Sequence, residues 1–196
     1  PEALDGLERT DQGRRLNRIN LARIRAAAFE QQERWAEATE QYEAALALDD
    51  TLVFAQQGME RSRGRADLAQ KLALLIDRPT RLFDAGVLKD ARLLVASGET
   101  SPAPRTKLEE QLRTLAGYIE QAATPINITL LSDGLTQVTI YRVGRIGNFE
   151  RHDLALRPGD YTAIGSRDGF RDVRAQFRLR PGKQPEPVLV RCIEPI

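Results

Sequence analysis

The sequence predicts an α+β protein of two domains, an all-α N-terminal region and a small antiparallel β-sandwich. Three observations predict it. Up to Pro125 apolar residues recur at helical spacing, beyond it they alternate at strand spacing, and turn residues then appear about every ten positions. The 196 residues suffice for two small domains with modest cores. The change of period places the helical region at 1–122 and the strand domain at 123–196.

The clearest helical signature is "RWAEATEQYEAALALDD", residues 34–50, preceded by "IRAAAFEQQERW". Ala26 and Phe29 share a face of one helix, Trp35 sits at the corner, and Ala38, Tyr42 and Ala45 recur on the next helix. The alanines let two antiparallel helices approach closely, and the two aromatics fill the space beside them. This pattern resembles a tetratricopeptide repeat, a helix hairpin of about 34 residues, placed here at Ile19–Leu52. The sequence departs from the family at Arg25, where a leucine is usual, and at Asp50, where a proline closes the repeat.

Further helices follow. "GLERTDQGRRL" (Gly6–Leu16) is similar to "GMERSRGRADL" (Gly58–Leu68), so each is expected to be a helix joining hairpins. "LFDAGVLKDARLLVASG" predicts a helix with Asp84 as N-cap and Gly98 just past its end. The next helix carries Leu108, Leu112, Leu115 and Ile119 as one stripe, and residues 79–122 make a second, degenerate hairpin. Solenoids need about three units to bury a continuous core. The expectation is that further repeats precede Pro1 and that the β half caps the open end.

After Pro125 six strands are expected, at "INITLLS", "QVTIYRV", the end of "GRIGNFERHDLAL", "YTAIGS", "FRDVRAQFRL" and "PVLVRC". "RPGD" and "RDG" lie between alternating segments, and Gly159 and Gly169 are expected to supply positive φ there. No helical pattern follows these glycines, so they are hairpin turns rather than a phosphate cradle. Leu154, Leu156, Pro158, Gly159, Tyr161, Gly169 and Phe170 make this stretch similar to a PEGA-type domain, over Gln137–Arg191. The tetrapeptide that names that family is absent. The resemblance implies a non-catalytic envelope module of the kind often joined to helical repeats.

Net charge is +1, too small for a nucleic-acid footprint. From Pro125 onward eleven basic residues face eight acidic ones. Asp172, Arg174, Gln176, Arg178 and Arg180 share one strand face. Such a row forms a solvated face with cross-strand ion pairs, or a partner surface that reads carboxylates or phosphates, for which the planar guanidinium is suited. Cys192 and His152 are the sole cysteine and histidine, so an intrachain disulfide is excluded. No nucleophile with a base, calcium loop, Walker motif or dinucleotide fingerprint occurs. The sequence therefore predicts a non-enzyme without cofactor or metal.

The expected function is a protein-interaction scaffold of a bacterial envelope assembly that holds another protein or peptide. Candidate contacts are Asn20, Arg23, Ala27 and Glu30 on the inner helix of the hairpin, with Arg174, Arg178 and Arg180 on the strand domain. The alternative is a cell-wall or polysaccharide-binding module carried by the β domain. The chain opens on Pro1 rather than methionine, and an upstream signal or anchor is the expected link to the membrane. A cytoplasmic location is the alternative to a periplasmic one.

Overall fold

A computed structural model describes residues 2–102 and 106–196, with side chains from residue 11 onward. Five helices precede two β-sheets, the α+β layout that the change of period predicts. The chain forms two compact units, one of residues 1–77 and 94–114, the other of 78–93 and 115–196.

In the helical unit, α1 (Glu2–Gln31), α2 (Trp35–Leu46) and α3 (Val53–Asp77) follow one another. The segments 6–16 and 58–68 are both helical, inside α1 and α3 respectively. Around Tyr42 the packing is of small residues. Ala22, Ala26, Ala38, Ala45 and Ala55 surround Tyr42, with Phe29, Leu46, Leu52, Phe54 and Met59 at its margin. Gly58 makes the α2–α3 approach feasible, because a Cβ there would run into the Tyr42 ring.

The corner between α1 and α2 is a Schellman turn: Arg34 N–H donates to the Phe29 carbonyl (2.9 Å) and Glu33 N–H to that of Glu30 (3.0 Å). Glu33 occupies the left-handed position, φ 54°, where glycine is usual. A side chain there costs roughly 1 kcal/mol, so its carboxylate must return something.

Helices α4 (Ala85–Glu99) and α5 (Thr106–Ala123) each contribute to both units. Asp84 caps α4 as expected, accepting from the backbone N–H of Gly86 (2.8 Å) and Val87 (3.1 Å). Gly98 does not follow the helix but lies within it. Its missing Cβ leaves room for Leu112, whose Cδ2 would be 2.6 Å away, so close approach rather than termination explains this glycine. Leu108, Leu112 and Leu115 are buried and Ile119 half-buried, so the stripe faces inward.

The strand unit has seven strands: β1 (Ile126–Leu131), β2 (Gln137–Ile140), β3 (Gly144–Asn148), β4 (Arg151–Leu156), β5 (Gly159–Ser166), β6 (Val173–Leu179) and β7 (Val188–Leu189). One sheet has the order β4-β1-β7 and the other β3-β2-β5-β6. All pairings are antiparallel except the two-residue parallel contact of β7 with β1. The inward faces of both sheets share one core: Ile128, Leu130, Val138, Ile140, Ala163, Phe177, Leu179 and Val190. Gly165 sits in it because a Cβ would meet Thr136, Val173 and Val190 at 2.7–3.0 Å.

Two expectations for this unit are corrected. The loop expected at Gly144–Asn148 is strand β3, paired with β2 across a bulge between Val138 and Thr139. Gly144 and Gly147, both at positive φ, disguise it as a loop. Gly159 is not a positive-φ turn residue; it opens β5 opposite Leu179. Gly169 does have the expected conformation, φ 77°.

Candidate interaction surfaces

Helix α1 sends Ile19, Ala22 and Ala26 into the core. On the opposite side its period brings Leu21, Ile24 and Ala28 to the surface. Leu21 and Ile24 are 47% and 59% exposed, and Leu16, on the flank it shares with Asn20 and Arg23, is 60% exposed. Asn20, Arg23 and Ala27 lie beside this stripe and are exposed. Glu30 shares their face but is engaged within the fold, accepting from Arg61 Nη2 (2.8 Å) and from the buried Ser62 hydroxyl (3.1 Å). Arg23 rests over the Phe54 ring, 5.3 Å from its centroid. The face carrying these four residues is thus turned toward α3. Burial, together with the nearby Glu30 carboxylate, raises the Tyr42 hydroxyl pKa above its usual value.

A second cluster explains Glu33. Its carboxylate accepts from Lys107 N–H (2.7 Å) and Leu108 N–H (3.2 Å), capping the first turn of α5. It also meets Arg65 Nη2 at 3.4 Å, both side chains being nearly fully buried. The Arg65 guanidinium lies 4.5 Å from the Trp35 ring centroid and donates to the Pro102 carbonyl. Left-handed backbone at Glu33 therefore serves to aim a buried carboxylate at a helix terminus and a guanidinium. A cavity of about 190 Å³ adjoins this network, lined by Trp35, Arg65, Ala69, Lys107 and Gln111 among others.

On the strand unit, the residues of β6 alternate. Val173, Ala175, Phe177 and Leu179 turn toward the core, and Arg174, Gln176 and Arg178 are exposed. Arg180 lies past the strand end and is bound locally. It donates to Asp160 Oδ1 (2.7 Å) and to the Gly159 carbonyl (3.2 Å), and its guanidinium lies 5.4 Å from the Phe83 ring. Arg178 approaches the same carboxylate at 3.6 Å. So the row holds together as a face for Arg174 and Arg178, while Arg180 acts as a strut.

At one end of this sheet lies an open polar depression of about 360 Å³. Gln137, Arg145, Asn148, Ser166, Asp168 and Asp172 line most of it. Beside it Asp133 accepts from the N–H of Thr136 (2.7 Å) and Leu135 (3.0 Å). The Thr136 bond is the largest cause that holds its carboxyl below the usual aspartate range. On the other sheet, the Thr129 hydroxyl (2.5 Å) and Arg151 do the same for Asp153.

No family model matches this chain, and no curated protein matches it either. The surfaces must be read from their own chemistry. Cys192 is buried, its Sγ against the Gly165 carbonyl (3.3 Å) and its N–H on the Thr136 hydroxyl (3.0 Å). His152 lies on the exposed edge strand β4, its ring 5.5 Å from that of Phe149. Among the described residues no cluster of three His, Cys, Asp or Glu could hold a metal ion, and no helix is long and apolar enough to cross a membrane.

Sequence reasoning missed the outer stripe of α1, the Glu33–Arg65–Trp35 network and the polar depression. The stripe had a signal: Leu21 and Ile24 fall out of phase with the core positions Ile19, Ala22 and Ala26. The other two depend on tertiary neighbours far apart in the chain.

Proposed function

We propose that this chain is a non-enzymatic protein-interaction scaffold of a bacterial envelope assembly, tethered there by a segment upstream. The observation that carries the reading is the exposed apolar stripe of α1. Leu21 and Ile24 stand exposed on the face of α1 opposite its core, an apolar pair that the packing of the described residues does not use. Tetratricopeptide-type and PEGA-type identities for the two units are part of the same proposal. The first is supported by the close-packed Ala26, Ala38 and Ala45 beside Phe29 and Tyr42. The second is supported by the strand–turn–strand run through Pro158, Tyr161 and Gly169.

The test is affinity capture of the tagged chain from its native host. The comparison is between the unaltered chain and the double variant Leu21→Glu/Ile24→Glu. Both positions are exposed, so the helical signal is expected to be unchanged. The reading expects one defined protein to be lost by the variant. Equal recovery of the same proteins by both would remove the stripe from the function.

The second reading, a polysaccharide-binding strand unit, is supported by the polar depression, whose amides and carboxylates suit hydroxyl-rich ligands. Binding of wall polysaccharide that is abolished by Asn148→Ala with Asp172→Ala would favour it.

A further inference from the structure

The exposed arginines of β6 stand on an open sheet edge, and the hydrogen-bond register shows which way its backbone faces. Tyr141 N–H donates to the Thr162 carbonyl at 2.9 Å, so Thr162 turns its backbone toward β2. Its neighbours Tyr161 and Ala163 therefore turn theirs toward β6, where they oppose Phe177 and Ala175. The intervening residues Arg174, Gln176 and Arg178 must direct their N–H and C=O groups away from β5. β6 is the last strand of its sheet, and among the described residues no other strand pairs on that side.

This edge is unlike the others. At the opposite end of the same sheet, β3 is kinked by Gly144 and Gly147 at positive φ and by a bulge. In the other sheet, β7 has only two residues. On β4, Arg151 already holds Asp153 at 3.2 Å. β6 offers seven regular residues. Its outer face is net positive, with Asp160 opposite Arg178 shared between two guanidiniums. Asp160 gives its short bond to Arg180, leaving Arg178 at 3.6 Å, and among the described residues no carboxylate pairs with Arg174.

We propose that β6 is a strand-addition site for an extended acidic segment of a partner protein. The added strand would bond the backbones of Arg174, Gln176 and Arg178. Its outward side chains would be carboxylates set opposite Arg174 and Arg178, and its inward ones apolar, continuing the row of Val173, Ala175 and Phe177. Main-chain bonds supply the attachment and the guanidinium forks select the charge. A second copy of this chain is the wrong occupant. Antiparallel pairing of two β6 strands about Gln176 sets Arg174 of each against Arg178 of the other, and like charges directly opposite repel. The same arginines thus keep two such edges apart and admit an acidic one.

This inference rests on the interaction reading but uses a different surface from the α1 stripe. Its test is amide hydrogen exchange by NMR on the full chain, with a capped synthetic heptapeptide alternating valine and glutamate as the probe. In the free protein the N–H groups of Arg174, Gln176 and Arg178 exchange fast, whereas those of Ala175 and Phe177 are protected. The glutamate peptide slows the first three by about tenfold or more. A valine–lysine peptide does not, and neither does a glutamate peptide N-methylated along its bonding edge. Arg174→Glu/Arg178→Glu, both exposed, exchanges the preference to the lysine peptide.

Three results would overturn the proposal: no slowing at these amides up to the solubility limit of the peptide, equal slowing by both peptides, or protection that rises with protein concentration alone. Failure here with continued loss of a partner in Leu21→Glu/Ile24→Glu removes the edge and leaves the scaffold reading. Success here with no effect of that double variant removes the stripe and leaves the edge.

Discussion

The two units bury their interiors in different ways. The strand unit is closed by Ile128, Leu130, Val138, Ile140, Phe177, Leu179 and Val190, large aliphatic and aromatic side chains from both sheets. The helical unit buries Trp35, Leu72, Leu108 and Leu112 too, but the packing of α1, α2 and α3 around Tyr42 is chiefly of alanines. An alanine removes little apolar area from water, so close helix approach must be reinforced elsewhere. The reinforcement is polar: Glu30 binds Arg61 and Ser62, and Glu33 binds Arg65 and the first turn of α5. One unit is thus a hydrophobic core with polar decoration, and the other adds to its core a close-packed alanine contact fastened by buried charge. Fastening of that kind leaves the outer face of α1 unused by folding, which is where the apolar stripe stands.

The largest effect expected from this contrast is at Arg65. Arg65→Ala leaves the buried Glu33 carboxylate without its counter-charge, held only by the α5 N–H groups, and should cost about 3 kcal/mol. Urea unfolding followed by Trp35 reads it directly, since Trp35 is the only tryptophan and the guanidinium lies over its ring. A loss below about 1 kcal/mol, the size of an exposed pair, would remove the buried-charge account of this unit. In the strand unit the matching break is apolar. Leu130→Ala empties a fully buried site and should cost about 2–5 kcal/mol, measured by loss of the strand signal in denaturant.

Smaller effects sharpen the contrast. Gly58→Ala drives a methyl into the Tyr42 ring and should cost about 1–3 kcal/mol in thermal unfolding of the helical unit. Gly64→Ala, on the same helix with open space around it, should be neutral or stabilising. The smallest effect is one of pH. The Asp133 carboxyl is held below its usual range in the fold, so its contribution is present above the ordinary aspartate pKa. That contribution is lost as pH falls through the lowered folded-state value. Asp133→Asn should flatten the acid limb of the strand unit's stability curve, and an unchanged slope would show that the turn bonds do not matter.

What was legible in the sequence follows the same division. Helix and strand regions were readable because periods of 3.6 and 2 are written along the chain itself. Core positions such as Ala26, Ala38, Tyr42 and Leu112 came with them. The alternation of Arg174, Gln176 and Arg178 was equally readable, but not the divergence of Arg180, which bends back past the strand end to Asp160. β3 was hidden because Gly144 and Gly147 carry the composition of a loop. The roles of Gly58, Gly98 and Gly165 were hidden because each depends on a neighbour that only the tertiary fold supplies. Glu33 was hidden for a further reason: a left-handed helix terminus is normally announced by glycine.

The most direct test of the scaffold account is site-specific photo-crosslinking in the native host. A photoreactive residue is placed at Ile24, at the centre of the exposed stripe, and a control at Gln70, an exposed polar position on α3. The account predicts an adduct of one defined mass from position 24 and none from position 70. The same diffuse set of adducts from both positions, or none from either, would contradict it.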